Sequence, residues 1–130
     1  MGQRYLLDTN IVIYYLEGLL DTSNQLNVKS IVEKGVHISV VSKIELLGWN
    51  PPYGSKIEKL NALIHSSIIY GLTDPVADAT IAIRKAYKKI KLPDAIIAAT
   101  CIHYNFILIS RNLSEFSMIR ELTTINPFDL

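Results

Sequence analysis

Three acids, Asp8, Glu45 and Asp94, stand at points where the sequence leaves a carboxylate free to do chemistry. Asp8 is the first polar residue after the apolar run Tyr5-Leu6-Leu7, where a buried strand would end. Glu45 lies one turn into a short helix beginning at Ser42, after a second apolar run from His37 to Val41. Asp94 follows Pro93 at the head of Ala95-Ile96-Ile97-Ala98-Ala99, a segment apolar nearly all round and therefore central to a fold. Asn112 and Glu115 come just after a third apolar run, Phe106 to Ser110. Carboxylates gathered at one place repel, and some of their pKa values rise unless cations neutralise them. Mg2+ or Mn2+ suits the task, because these hard ions prefer oxygen ligands and keep waters for chemistry. One ion activates a water and a second stabilises the leaving oxygen of a phosphodiester, which supplies hydrolysis without His or Cys.

Each of these residues also has a purely structural role open to it. Ser42-x-x-Glu45 fits a capping box, and taken alone that is the simpler reading of Glu45. Asp94 could complement a helix dipole, and Asp8 could cap a helix. Asn112 and Glu115 could be ordinary loop and turn residues. Taken together, all of these roles would have to fall at strand ends facing one edge, and this favours a shared site.

The elements that must position the acids follow from periodicity and punctuation. Asp8-Thr9-Asn10 offers capping chemistry to a helix through Ile11 to Leu16, closed near Gly18. A second helix runs from about Ser23 to Lys34, with Gly35 as its stop. His37 to Val41 reads as a strand, Ser42 to near Gly48 as a short helix, and Trp49 to Gly54, with its paired prolines, as a loop. Ile57, Leu60, Ile64 and Ile68 recur at helical spacing, while Ile68-Ile69-Tyr70 also reads as a short strand. Asp74-Pro75 is a helix start with a capping carboxylate, and Val76, Ala79, Ile83, Ala86 and Ile90 line one face of the helix it opens. A helix from Pro93-Asp94, a strand from Phe106 to Ser110 and a last strand within Leu122 to Ile125 complete the pattern. Strands alternating with helices, in unbroken apolar runs, predict an α/β fold with a mainly parallel sheet. In such a sheet ligands bind beyond the carboxyl ends of the strands, where Asp8, Glu45, Asn112 and Glu115 fall.

Length and composition bound the rest. A chain of 130 residues with 49% hydrophobic and 19% charged residues is expected to form a single domain over 1–130 with a packed core. A formal charge of +1 means that any nucleic acid must be held by a local basic patch. Cys101 is the only cysteine, so there is no internal disulfide. The start Met1-Gly2-Gln3-Arg4 lacks a signal-peptide core and no apolar run is long enough to span a bilayer, so the expected location is cytoplasmic.

Four segments, in order, carry a resemblance. Leu6-Leu7-Asp8-Thr9-Asn10, Ser42-x-x-Glu45-Leu46, Leu92-Pro93-Asp94-Ala95-Ile96-Ile97-Ala98-Ala99 and Ser110-Arg111-Asn112-Leu113-Ser114-Glu115-Phe116 resemble the acidic motifs of PIN domains, and of VapC-type toxins in particular. The resemblance spans the whole chain. It implies a three-layer α/β/α fold and an Mg2+-dependent endoribonuclease (Mn2+ also serving). The substrate would be structured RNA such as tRNA or ribosomal RNA, the partner a cognate antitoxin, and the assembly a homodimer. By the same resemblance Asp8, Glu45 and Asp94 look like the catalytic metal-binding carboxylates, Asn10 like the polar residue that steadies them, and Ser42 like the hydroxyl nearby. Asn112 occupies the fourth acidic position as a further metal ligand, and Glu115 stands where Asp is more usual. A neutral Asn is a weaker cation ligand, which leaves one-metal and two-metal chemistry open.

Arg84, Lys85, Lys88, Lys89 and Lys91 form a basic cluster leading to Asp94, with 84, 88 and 91 on one helical face. A solvated face is its plain reading, and RNA binding by Arg84, Lys85 and Lys88, with Arg111, is the functional one. Trp49 and Tyr53 could stack a base, meet a partner or fold onto the core. Ile11, Ile13, Tyr14, Tyr15 and Leu16 supply apolar surface for a dimer or antitoxin contact. His37, His65 and His103 have no zinc spacing, and Cys101 reads as a buried small hydrophobe. The rival function is a non-catalytic PIN-like module that binds RNA or protein through a degraded metal site. A phosphatase of the haloacid dehalogenase type would show Asp-x-Asp where Asp8 is followed by Thr9-Asn10, and a receiver domain would want a paired acid and a late lysine.

Overall fold

In the computed structural model, which describes residues 4–49 and 54–129, the chain runs β1 (Tyr5–Leu7), α1 (Thr9–Glu17), α2 (Thr22–Lys34), β2 (His37–Ser39), α3 (Val40–Leu47), α4 (Gly54–Ser66), β3 (Ile68–Tyr70), α5 (Asp74–Ala86), α6 (Leu92–Tyr104), β4 (Ile107–Ile109), α7 (Leu113–Phe116), β5 (Thr124–Ile125) and a 3-10 turn (Pro127–Asp129). β1 pairs in parallel with β4, and β4 with β5; β2 and β3 form a second parallel pair. β2 lies alongside β1. The pairing of Leu7 with Ile109 puts the carboxyl ends of β1 and β4 level, so Asp8 and Ser110 emerge side by side.

Side chains alternate across a strand, and here each face meets its own helices. Leu6 and Leu108 join one core with Val76 and Ile83 of α5, the buried side of α6, and Phe116. Leu7 and Ile109 join the other with Ile11, Val28, Leu46 and Leu60 from α1 to α4. This is the α/β arrangement with parallel strands that the apolar runs predict, in the three layers that the resemblance implies. α6 is buried at every residue from Ala95 to Cys101, as a helix apolar all round must be. Gly18, at φ +66, closes α1 in the left-handed conformation that a Cβ would strain.

Several expected boundaries move, each for a local reason. The second strand stops at Ser39, whose side chain caps α3 by accepting from Val41 N at 3.1 Å. Ser42 therefore lies inside α3, and the capping box proposed for Ser42 and Glu45 does not form. α5 is capped by Thr73, with Asp74 already in its first turn. That helix ends at Ala86 and Lys88 and Lys89 lie in a turn, so residues 84, 88 and 91 do not share a helical face. Ile90 is buried although it lies beyond the helix, and Ile68 belongs to β3 rather than to α4.

The apolar residues of α1 are mostly spent on the core. Ile11 and Val12 are fully buried, and Ile13, Tyr14, Tyr15 and Leu16 pack half-buried against it, as does Trp49. Tyr53 and the rest of the proline loop, residues 50–53, lie outside the described residues. His37 sits in an aromatic group with Tyr70 and Phe106, its Nδ1 2.9 Å from the Tyr70 hydroxyl. Burial and the nearby Arg4 push its pKa down. Cys101 is wholly buried, as expected, and burial pushes its thiol far up.

Candidate active site

Asp8 ends β1 and caps α1 at once. Its Oδ1 accepts from Thr9 N at 2.8 Å, and its Oδ2 accepts from Ser110 Oγ at 2.8 Å. The same Ser110 oxygen accepts from Asn112 N at 2.9 Å, which fixes the chain as it leaves β4. The capping role and the site role are thus compatible in one residue. Asp8 is 7% exposed; burial pushes its pKa up, the Ser110 and Thr9 bonds draw it back, and the Glu45 charge adds to the rise.

Glu45 projects from α3 towards α1. Thr9 Oγ1 lies 2.6 Å from Glu45 Oε1 and 2.9 Å from Ser42 Oγ. A threonine hydroxyl has one proton. The shorter, charge-assisted contact takes it, so Thr9 donates to Glu45 and Ser42 donates to Thr9. Ser42 is fully buried, as its place behind this contact requires.

Asp94 occupies the first turn of α6, and its pKa rises to about 7. Burial is the largest cause, followed by a hydrogen bond with Glu115 and the charges of Glu115, Asp8 and Glu45. An acid placed only to complement the helix dipole would be held down, not up. The four acids from separate segments therefore act on one another. Glu115 Oε2 is buried and has no hydrogen-bond partner among the described residues. Two carboxyls facing each other need a proton or a cation between them.

Among the described residues, no three His, Cys, Asp or Glu side chains close into a ready-made metal cage. The donors present are oxygens, loosely set, with one buried oxygen unsatisfied. That chemistry fits a hard divalent ion that keeps part of its water shell, and does not fit zinc.

The remaining expected residues divide. Asn10, Tyr14, Arg111 and Asn112 line a shallow recess beside Asp8 and Ser110. Asn10 is exposed there, and the contacts that steady the acids come from Thr9, Ser42 and Ser110 instead. Asn112 lends its backbone to Ser110, and its Oδ1 accepts from Ser114 Oγ at 3.4 Å. Glu115, rather than Asn112, is the side chain that meets Asp94. Arg84, Lys85 and Lys88 are exposed on the last turn of α5 and the turn beyond it. Sequence reasoning does not single out Thr9 or Ser110 as site residues. Both lie inside the acidic motifs at strand ends, and that position was the available signal.

A parallel α/β sheet with carboxylates gathered at the carboxyl ends of its strands places them where such folds bind their ligands. The sequence matches the PIN domain family over residues 5–121, and the chain belongs to that family. VapC-type PIN domains are generally nucleases, and PIN domains typically use divalent metal ions. No curated protein matches the sequence. Among solved structures, a toxin–antitoxin complex from Klebsiella pneumoniae contains a chain 29% identical, with a TM-score of 0.72, covering 95% of this chain and 97% of that one. FitAcB from Neisseria gonorrhoeae is 26% identical with a TM-score of 0.75, covering 97% of this chain and 99% of that one. DNA-bound VapBC from Salmonella typhimurium reaches a TM-score of 0.81 at 16% identity, covering 97% of this chain and 99% of that one, a likeness of fold alone. Among the described residues no helix is long and apolar enough to cross a membrane.

Proposed function

We propose that the chain is a divalent-cation-dependent endoribonuclease, the toxin of a toxin–antitoxin pair, and that residues 1–130 form one PIN domain acting in the cytoplasm. The observation that carries this reading is the gathering of four acids from separate segments at the strand ends of a PIN domain. Asp8 is held there by Ser110 and Glu45 by Thr9, and Glu115, Asp8 and Glu45 raise the pKa of Asp94. Asp8, Glu45 and Asp94 hold the cation, Mg2+ or Mn2+, with Asn112 at the fourth acidic position and Glu115 supporting them against Asp94. The bound ion supplies an activated water and a counter-charge for the phosphodiester. The protein's own part is to hold the acids: Ser110 fixes Asp8, and Thr9 with Ser42 fixes Glu45. Arg84, Lys85 and Lys88 contribute RNA contacts from the end of α5, and Arg111 from the rim of the site. The structural neighbours found in toxin–antitoxin complexes support a cognate antitoxin as partner, and a homodimer belongs to the same reading.

The test is incubation of antitoxin-free protein with total bacterial RNA in Mg2+, Mn2+ or EDTA, beside Asp8→Ala. Discrete fragments that need metal and vanish in the variant are expected. Cleavage that persists in EDTA or in Asp8→Ala would overturn the mechanism. The non-catalytic module rests on the neutral Asn112, and Glu115 against Asp94 weakens it. RNA binding without cleavage by a folded protein would reinstate it.

A further inference from the structure

The C-terminal turn reaches back to the acidic edge. The Arg111 guanidinium lies 4.5 Å from the centre of the Phe128 ring and 5.3 Å from that of Tyr14. Phe128 belongs to the 3-10 turn Pro127–Asp129, which packs against α2 and in which Pro127 is buried. The turn is also held by Phe128 N donating to Asn126 Oδ1 at 3.0 Å. Two other parts of the chain thus meet at Arg111 beyond the end of β4: the body of α1 and the last turn. Arg111 is exposed, and it makes no ion pair with any described residue.

A cation held by rings keeps its N–H groups for another partner, and a guanidinium matches the oxygens of a phosphate in a bidentate fork. The recess that Arg111 shares with Asn10, Tyr14 and Asn112 supplies amide groups of both polarities. It opens beside Ser110 and Asp8, where Ser110 Oγ joins the two through its bonds to Asp8 Oδ2 and Asn112 N. A polyanion approaching the carboxylates Asp8, Glu45, Asp94 and Glu115 is repelled and needs a fixed positive charge at their rim.

We infer that Arg111, aimed by Tyr14 and Phe128, is the clamp for an RNA backbone phosphate next to the one cleaved, so that the C-terminal turn is part of the substrate site. The inference rests on the nuclease reading and on the Arg111 contact named there, and adds to it which group of the RNA Arg111 holds, what aims it, and a role for the end of the chain. Arg111 binds directly, and Phe128 is a positioning residue that acts through it.

The test measures binding apart from cleavage. A fluorescently labelled single-stranded RNA of about 12 nucleotides is titrated in Mg2+ against the full chain carrying Asp8→Asn, over a range of salt. Adding Arg111→Ala is expected to weaken binding about tenfold and to reduce the salt slope by about 0.7, the signature of one lost phosphate contact on a single strand. Arg111→Lys restores the slope but only part of the affinity, because a point charge lacks the fork. Phe128→Ala weakens binding about threefold with the slope kept, since charge remains but aim is lost. Unchanged affinity and slope in folded Arg111→Ala overturn the inference. Should that variant fail to fold, Arg111→Lys and Phe128→Ala both binding like the parent overturn it equally. Cleavage by the otherwise wild-type chain is scored separately, so a clamp on a protein that cuts nothing is told apart from a nuclease without the clamp.

Discussion

Thr9 Oγ1 and Glu45 Oε1 stand 2.6 Å apart, joining the helix after β1 to the helix after β2 by a single hydroxyl. α1 and α3 belong to different βα units, so without this contact nothing in their own hydrogen bonding would set the angle of the Glu45 side chain. Thr9→Val keeps the shape and removes the bond. The expected result is a loss of about 1–2 kcal/mol, because a buried Ser42 hydroxyl loses its acceptor. A fall of about 10- to 100-fold in cleavage should accompany it, the usual cost of removing a group that orients a metal ligand. Thr9→Ser should recover most of both. Thermal melts and initial rates decide the matter, and wild-type rates in Thr9→Val would mean that Glu45 is placed by something else.

Asp94 carries a pH signature with a definite sign. Its pKa is raised from 3.8 to about 7, so the folded state holds the proton more tightly than the unfolded chain. Its contribution to stability is complete below the unfolded value and is lost as pH rises through about 7. Metal-free protein should therefore melt lower at pH 8 than at pH 5.5, and a divalent cation should restore the melting temperature at pH 8. Asp94→Asn should flatten this dependence, melt above the wild type at pH 8 without metal, and abolish cleavage. A steep pH dependence kept in Asp94→Asn would place the strain on other groups.

Ser110→Ala tests the opposite end of the site. Ser110 donates to the charged form of Asp8 and so draws down a pKa that burial has raised. Removing the hydroxyl should move the acidic limb of the pH–rate profile to higher pH. It should also cost roughly 1 kcal/mol, more above the Asp8 pKa than below it, since the bond favours the anion. Asn112 N loses its acceptor in the same variant. A rate profile that falls uniformly, with its limb unmoved, would show that Ser110 only holds the backbone.

How much of this was legible in the sequence depends on which force decides each feature. The strands and the buried α6 were readable because unbroken apolar runs have few other places to go. Asp8, Glu45, Asp94 and Glu115 were readable as candidates because each follows such a run or opens a helix. The partner of each acid was not, since Thr9 meets Glu45 across 36 positions and Ser110 meets Asp8 across 102. No local pattern encodes a contact at that distance. Boundaries failed where two residues competed for one job: Thr73 took the cap expected of Asp74, and the helix through Arg84 ended at Ala86, before Lys88 could join its face. The Arg111 to Phe128 contact depends on where the last turn packs, which periodicity does not reach.

Ser39 and Ser42 present the same competition in a form that mutation can separate. Both are fully buried serines near the start of α3, but only Ser39 caps it, accepting from Val41 N at 3.1 Å, whereas Ser42 faces Thr9 Oγ1 at 2.9 Å. Ser39→Ala should cost about 1 kcal/mol, the usual value of a lost N-cap. Cleavage would change only as far as the start of α3 frays. Ser42→Ala leaves the cap intact and removes the donor that orients the Thr9 hydroxyl, so its main effect should fall on turnover, with a smaller change in melting temperature. Measuring both variants by thermal melt and by kcat gives a crossed pattern if the two serines divide the work in this way. If Ser42→Ala lowers stability and leaves kcat untouched, the Ser42 contact with Thr9 is structural only and Glu45 is oriented without it.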